Sequence, residues 1–180
     1  ALYMSVPLGT NAVSIVMPRT NTNVDSVVLF TTNVNITDNT PQTLHLTDTA
    51  ANMKSVLVKN NIVGIADGMC RFNFVHLMPN VPAVDLYLNG ILMRANIPYL
   101  GASGAMDIPV GINAPGFVSG ATTIWAVRAA GATSTSAALV SFASASGLIS
   151  GGALTGFCMG YSGATGARLP FLAMTLDKNQ

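Results

Sequence analysis

At 180 residues the chain is long enough to bury a sizeable core, yet only 8% of it is charged, glutamate is absent and the formal net charge is +1. Its eight basic residues stand singly, which excludes a phosphate-neutralising stripe and with it a nucleic-acid partner; no run of about 18 apolar residues exists, which excludes a transmembrane helix. A globular surface normally carries roughly 25–35% charged residues, so one made of Asn, Thr, Ser, Gly and Ala favours packing against copies of itself.

In chain order, β-branched and aromatic runs bounded by Gly, Pro, Asn and Asp predict strands at Leu2–Val6, Ala12–Met17, Ser26–Asn35, Thr43–Thr47, Ser55–Lys59, Arg71–Leu77 and Ala83–Leu88. They continue at Ile91–Ala95, Ala105–Ile108, Thr122–Ala129, Ala137–Ala143, Leu154–Met159 and Phe171–Leu176. Helical periodicity is almost absent, so the class is all-β. Ala1 opens without the basic and apolar regions of a secretory leader, the pattern of a mature or trimmed product.

An internal repeat underlies these strands. YMSVPLG (3–9) aligns with AMDIPVG (105–111), SIVMPRTNT (14–22) with WAVRAAGAT (125–133), and SVLVKNN (55–61) with AMTLDKN (173–179). Nothing in the first copy corresponds to Arg71–Ala95. The expectation is an incomplete β unit over 1–64, lacking its opening hairpin, and a complete one over 65–180, joined by the GIADG turn at Gly64–Gly68.

The stretch present once is RFNFVHLMPNVPAVDLYLNG (71–90). Pro79 and Pro82 fix φ and push Met78 and Val81 into extended backbone, which makes the link between two strands stiff and unable to pair as a ladder. His76 before the arch and Asp85 after it admit three readings: a hydrogen-bonded fastening, a metal site and a catalytic pair. Zinc needs three or four ligands and a His–Asp pair needs a nucleophile, so fastening is favoured, with an imidazole N–H donated to the carboxylate. Asn89–Gly90 is a type I′ hairpin signal.

This stretch resembles the signature of an extracellular β-sandwich family, domain of unknown function 4397, with His76, Pro79, Pro82, Val84, Asp85, Tyr87, Asn89 and Gly90 in the pattern's places. IPYLGASGAMDIPVG continues as that family does, and LTGFCMGYSG and FLAMTLDKN follow it more loosely. The resemblance implies an exported protein of tandem Ig-like β-sandwich units with no established catalytic activity. Met78 stands where the family has serine and Asn80 where it has aspartate, which strips the loop of a hard oxygen ligand for a cation.

Cys70 and Cys158 permit one disulfide or two buried thiols. Trp125, between Ile124 and Val127, suits the core better than a ligand platform. Asn35–Ile36–Thr37 fits an N-glycosylation sequon, and the triplets at Ser26 and Thr49 resemble a short O-glycosylation signal. No cofactor is implied and no enzymatic role is expected.

A sandwich without two adjacent strands exposes unpaired backbone and an apolar groove. The leading expectation is a structural subunit of an extracellular or cell-surface filament, pilus-like, whose open half is completed by strands from a neighbour in a head-to-tail homo-oligomer. The donor is expected within Leu2–Met17, presenting Leu2, Met4 and Val6, then Val13, Ile15 and Met17. The alternative is a monomeric cell-surface adhesive or carbohydrate-binding module, whose partner is a surface glycan or another surface protein.

Overall fold

The computed structural model describes residues 3–19, 26–111, 122–144 and 148–178. The all-β expectation holds: the described residues form twelve strands and two single-turn 3-10 segments, Ala50–Asn52 and Gly166–Arg168. The chain opens with two hairpins. β1 (Gly9–Met17) pairs antiparallel with β2 (Val27–Ile36), and β3 (Gln42–Thr47) pairs antiparallel with β4 (Lys54–Lys59).

Eight further strands form two four-stranded sheets. They are β5 (Met69–Leu77), β6 (Ala83–Leu88), β7 (Ile91–Pro98), β8 (Met106–Pro109), β9 (Thr123–Ala129), β10 (Val140–Ser144), β11 (Ala153–Met159) and β12 (Phe171–Lys178). One sheet has the order β10-β9-β6-β7, the other β12-β11-β5-β8. All pairings are antiparallel except β11 with β5, which run parallel.

The two sheets face each other across one core. Phe72, Phe74, Met106, Ile108, Cys158 and Leu172 from one sheet meet Val84, Leu86, Leu88, Ile97, Trp125 and Val127 from the other. Phe72 lies stacked on Trp125 at 4.0 Å between ring centroids. Gly156 makes room for that stack, because a Cβ there would sit 2.6 Å from Phe72 Cζ. Trp125 is fully buried, as a core residue should be.

Local chemistry explains the boundaries. Asn89 and Gly90 both take positive φ (48° and 81°), the backbone a type I′ turn requires between β6 and β7. The first half of β5 alternates, with Cys70, Phe72 and Phe74 buried and Arg71 and Asn73 less so. From Val75 onward every residue is buried, because the β3–β4 hairpin covers the strand's outer face there.

Two expected strands change. Tyr3–Pro7 forms no strand, because among the described residues it has no ladder partner, and Leu2 lies outside those residues. The run expected at Ala137–Ala143 begins only at Val140, where pairing with Val127 starts.

Candidate functional site

The arch between β5 and β6 fastens itself in a way the sequence pattern did not anticipate. His76 is fully buried, and its Nε2–H donates to the Val81 carbonyl at 2.8 Å, closing the arch five residues on. That bond leaves Nδ1 as the acceptor, facing the Met78 amide at 3.4 Å and Cys158 Sγ at 3.5 Å. Burial lowers the His76 pKa from its ordinary value, only partly offset by the bond to Val81, so the ring is held neutral.

Asp85 has different partners. Its Oδ1 accepts from the Asn96 amide at 2.7 Å and its Oδ2 from the Gly131 amide at 2.9 Å. It therefore ties the irregular stretch of β7, where Asn96 has φ 56°, to the β9–β10 connection. The expected His76–Asp85 hydrogen bond is thus corrected. Val84, Leu86 and Leu88 point into the core, so Asp85 and Tyr87 point to the far face of their sheet, whereas His76 continues the inward series of Phe72 and Phe74 on the other sheet.

The two departures from the family pattern have structural roles. Met78 is fully buried in the core, where a serine hydroxyl would lack its volume. Asn80 makes a two-way bond to Ser162, donating Nδ2–H to its carbonyl (3.0 Å) and accepting from its amide (2.9 Å); an aspartate could do only the second. Pro79 is half-buried and Pro82 exposed, so their contribution is backbone stiffness more than packing.

The disulfide reading is also corrected. Cys70 and Cys158 are both buried free thiols. The parallel register pairs Cys158 with His76, six residues along β5 from Cys70, roughly 20 Å away, against the roughly 4.4–6.8 Å Cα separation a disulfide spans. Burial pushes the Cys158 thiol up to about 12.

The first hairpins are built differently from the sandwich. Thr32 Oγ1 and Ser55 Oγ lie 3.1 Å apart, which sets one face of β1–β2 against one face of β3–β4. By register, Val13, Ile15, Phe30, Val34 and Ile36 share the first of these faces, and Leu44, Leu46 and Leu57 the second. Of these eight apolar residues only Val34 is buried; the rest are half-buried. Among the described residues β1 pairs only with β2, and β3 only with β4, so each hairpin keeps two free edges.

The other face of β3–β4 rests on the sandwich. Val58 packs with Val75 and Leu77, and His45 meets the Phe157 ring at 5.6 Å. Thr47 Oγ1–H donates to the Leu77 carbonyl at 2.6 Å, and the Tyr161 hydroxyl donates to Asp48. Beside this contact a groove of about 950 Å³ opens, walled by Val56 and Val58 on one side, Ala102 and Ala105 on the other, with Ile62 and Val63 at its end. Its position beside the outermost strand of the hairpin could not be read from sequence, because it depends on how two distant segments dock.

The remaining expected residues fall as follows. Met4 is 85% exposed and Val6 40%, in a segment that lies against Ile36–Gln42; Tyr3 accepts a hydrogen bond from Asn60 at 3.1 Å. Met17 is exposed at the end of β1, next to Val16 and Val28, which are exposed as well. Asn35 and Ser26 are exposed, while Thr49 is half-buried. Arg71, which no sequence motif marks, holds Asp107 in a bidentate pair through Nε (2.7 Å) and Nη2 (2.8 Å) and the Val63 carbonyl through Nη1 (2.7 Å), anchoring the link into β5.

These features define an all-β protein of the sandwich type, with one closed double sheet and two half-covered hairpins. Residues 1–87 match the model of the family described as Domain of unknown function (DUF4397). The match takes in His76, Pro79, Pro82 and Asp85 and ends at Tyr87, before the Asn89–Gly90 turn. It also runs across the link at 64–68, joining the hairpins to β5 and most of β6. No curated protein matches the chain.

Proposed function

We propose that the protein is a structural subunit of an extracellular or cell-surface assembly, in which strands of a second copy complete the half-covered hairpin pair. One observation carries this reading: seven of the eight apolar side chains on the facing surfaces of β1–β2 and β3–β4 are only half-buried, next to strand edges without a ladder partner among the described residues. An apolar face beside unpaired backbone is a ready template for strand addition.

The repeat says what is wanted there. Met4 and Val6 align with Met106 and Ile108 of β8, which are 9% and 1% exposed because β8, held in register by β5, packs into the core between the sheets. A β5-like strand from a neighbour would give Met4 and Val6 the same cover, about 3–6 kcal/mol for the two side chains before ordering costs. β1 is engaged with β2 on one side, so Val13, Ile15 and Met17 serve better as a receiving edge than as a detached donor. The low charge removes the repulsion that keeps copies apart.

Sedimentation of the full chain against one lacking residues 1–8 tests this. Concentration-dependent oligomers that collapse to monomers on truncation, with little effect of salt, are expected. A full chain that stays monomeric at high concentration would favour the adhesive-module reading and sink the assembly.

A further inference from the structure

At one end of the sandwich, away from the hairpins, a cavity of about 270 Å³ lies between the two sheets. Its walls are mostly apolar: Phe142 from β10, Leu154 from β11, Met174 and Leu176 from β12, and Leu148 and Ile149 from the β10–β11 connection, with Ser144 at the end of β10 the polar exception. Two β9 residues also line it, Thr123 and Trp125, which are 3% and 0% exposed. Among the described residues, the buried Thr123 hydroxyl and Trp125 indole N–H have no hydrogen-bond partner.

A buried donor without an acceptor costs about 1–3 kcal/mol, and two on one strand beside one cavity are a costly coincidence for a core that could have used Val and Phe. Both groups can donate, so what would satisfy them is an acceptor. The walls around them select against charge and against a polar body. At a liquid-like share of about 30 Å³ per heavy atom, the space suits roughly nine heavy atoms.

We propose that this end of the sandwich binds a small neutral molecule with an apolar body and one carbonyl-type oxygen, such as a medium-chain ester or ketone. The oxygen takes hydrogen bonds from Thr123 Oγ1–H and Trp125 Nε1–H, and the alkyl part lies against Leu154, Met174 and Leu176. The site is independent of the assembly reading.

Trp125 is the chain's single tryptophan, so its fluorescence reports the cavity directly. Methyl hexanoate, with nine heavy atoms, is titrated into the full chain beside nonane, which matches it in size but has no acceptor. Saturable change with the ester, and binding of nonane at least about tenfold weaker, is expected. Thr123→Val keeps shape and reporter and removes one donor; it should weaken the ester about fivefold, the usual yield of one neutral hydrogen bond, and leave nonane unchanged. Leu154→Phe, which fills the space, should abolish both, with an unchanged circular-dichroism spectrum showing that the variant folds. Equal affinity for ester and nonane, or an ester affinity indifferent to Thr123→Val, would overturn the acceptor site. No saturable change with either molecule would mean the cavity holds water only.

Discussion

β2 and β6 are built from the same kind of sequence and end in different states. VVLFTTNVNI in β2 carries six apolar residues and AVDLYL in β6 five, yet β2 buries only Val34 while β6 buries every residue from Val84 to Leu88. β6 sits between β7 and β9 and faces a second sheet; β2 has β1 on one side and a two-stranded hairpin in front of it. Burial in a sheet is thus supplied by the neighbours more than by the strand itself. The hairpins of 9–59 carry the alternation of a sandwich without enough strands to close it.

The largest expected effect tests that difference with one chemical change made twice. Phe72→Ala removes a fully buried ring stacked on Trp125 and should cost about 3–5 kcal/mol. Phe30→Ala removes a half-buried ring and should cost at most about half as much. Denaturant midpoints of the chain at low concentration give the comparison; equal losses would mean that the hairpin pair is as well closed as the sandwich.

Next come the two fastenings of the arch. Asp85→Ala leaves the Asn96 and Gly131 amides without their acceptor, and His76→Ala leaves the Val81 carbonyl without its donor; each should cost about 1–3 kcal/mol. Since the two side chains share no partner, the double variant should be additive within about 0.5 kcal/mol. Strong coupling in that cycle would restore the direct pair and refute the placement on opposite faces.

Much of the molecule is legible in its sequence. The alternation and the Gly, Pro and Asn punctuation located nearly every strand, and Asn89–Gly90 specified its turn, because those signals are local. The His-Pro-Pro-Asp arch was recognisable, but its hydrogen bonds were not: which carbonyl an imidazole reaches depends on whether its side chain faces inward, and parity between two strands of different sheets is a tertiary fact. The choice between a disulfide and two buried thiols at Cys70 and Cys158 stays open in the sequence for the same reason, since only the parallel register of β11 on β5 shows them six residues apart. The latch from Tyr161 to Asp48 spans 113 residues and had no local sign at all.

That latch gives a smaller effect. Tyr161→Phe removes the hydroxyl that holds Asp48, and its effect should be felt where the hairpin meets the sandwich, with a smaller shift of the denaturation midpoint than either arch variant gives. Hydrogen exchange should quicken across β3 and β4 while β5, β6 and β9 keep their protection. Uniform loss across both regions would mean that they unfold as one unit and differ in packing alone.

The smallest effect is a pH dependence with one histidine in each region. Burial lowers the pKa of His45, against Phe157, and of His76, under its arch. As pH falls through about 6.5 the unfolded chain takes up protons at both positions while the folded chain resists, so the unfolded state binds more protons and stability declines, by at most about 1.4 kcal/mol per pH unit for each group. Asp177, whose pKa burial raises, works with the opposite sign: its folded form holds a proton that the unfolded one has released, so its penalty grows as pH rises from the ordinary carboxyl value through the raised one. Between about pH 7.5 and about pH 5.5 the histidines should dominate, and the denaturation midpoint should fall. His76→Gln, which can still donate to the Val81 carbonyl, should remove roughly half of that slope, and His45→Phe, which keeps a ring against Phe157, the other half. A slope untouched by His45→Phe would mean that His45 is already in water at neutral pH. The β3–β4 hairpin would then spend its time off the sandwich, with its apolar faces open to a neighbouring copy.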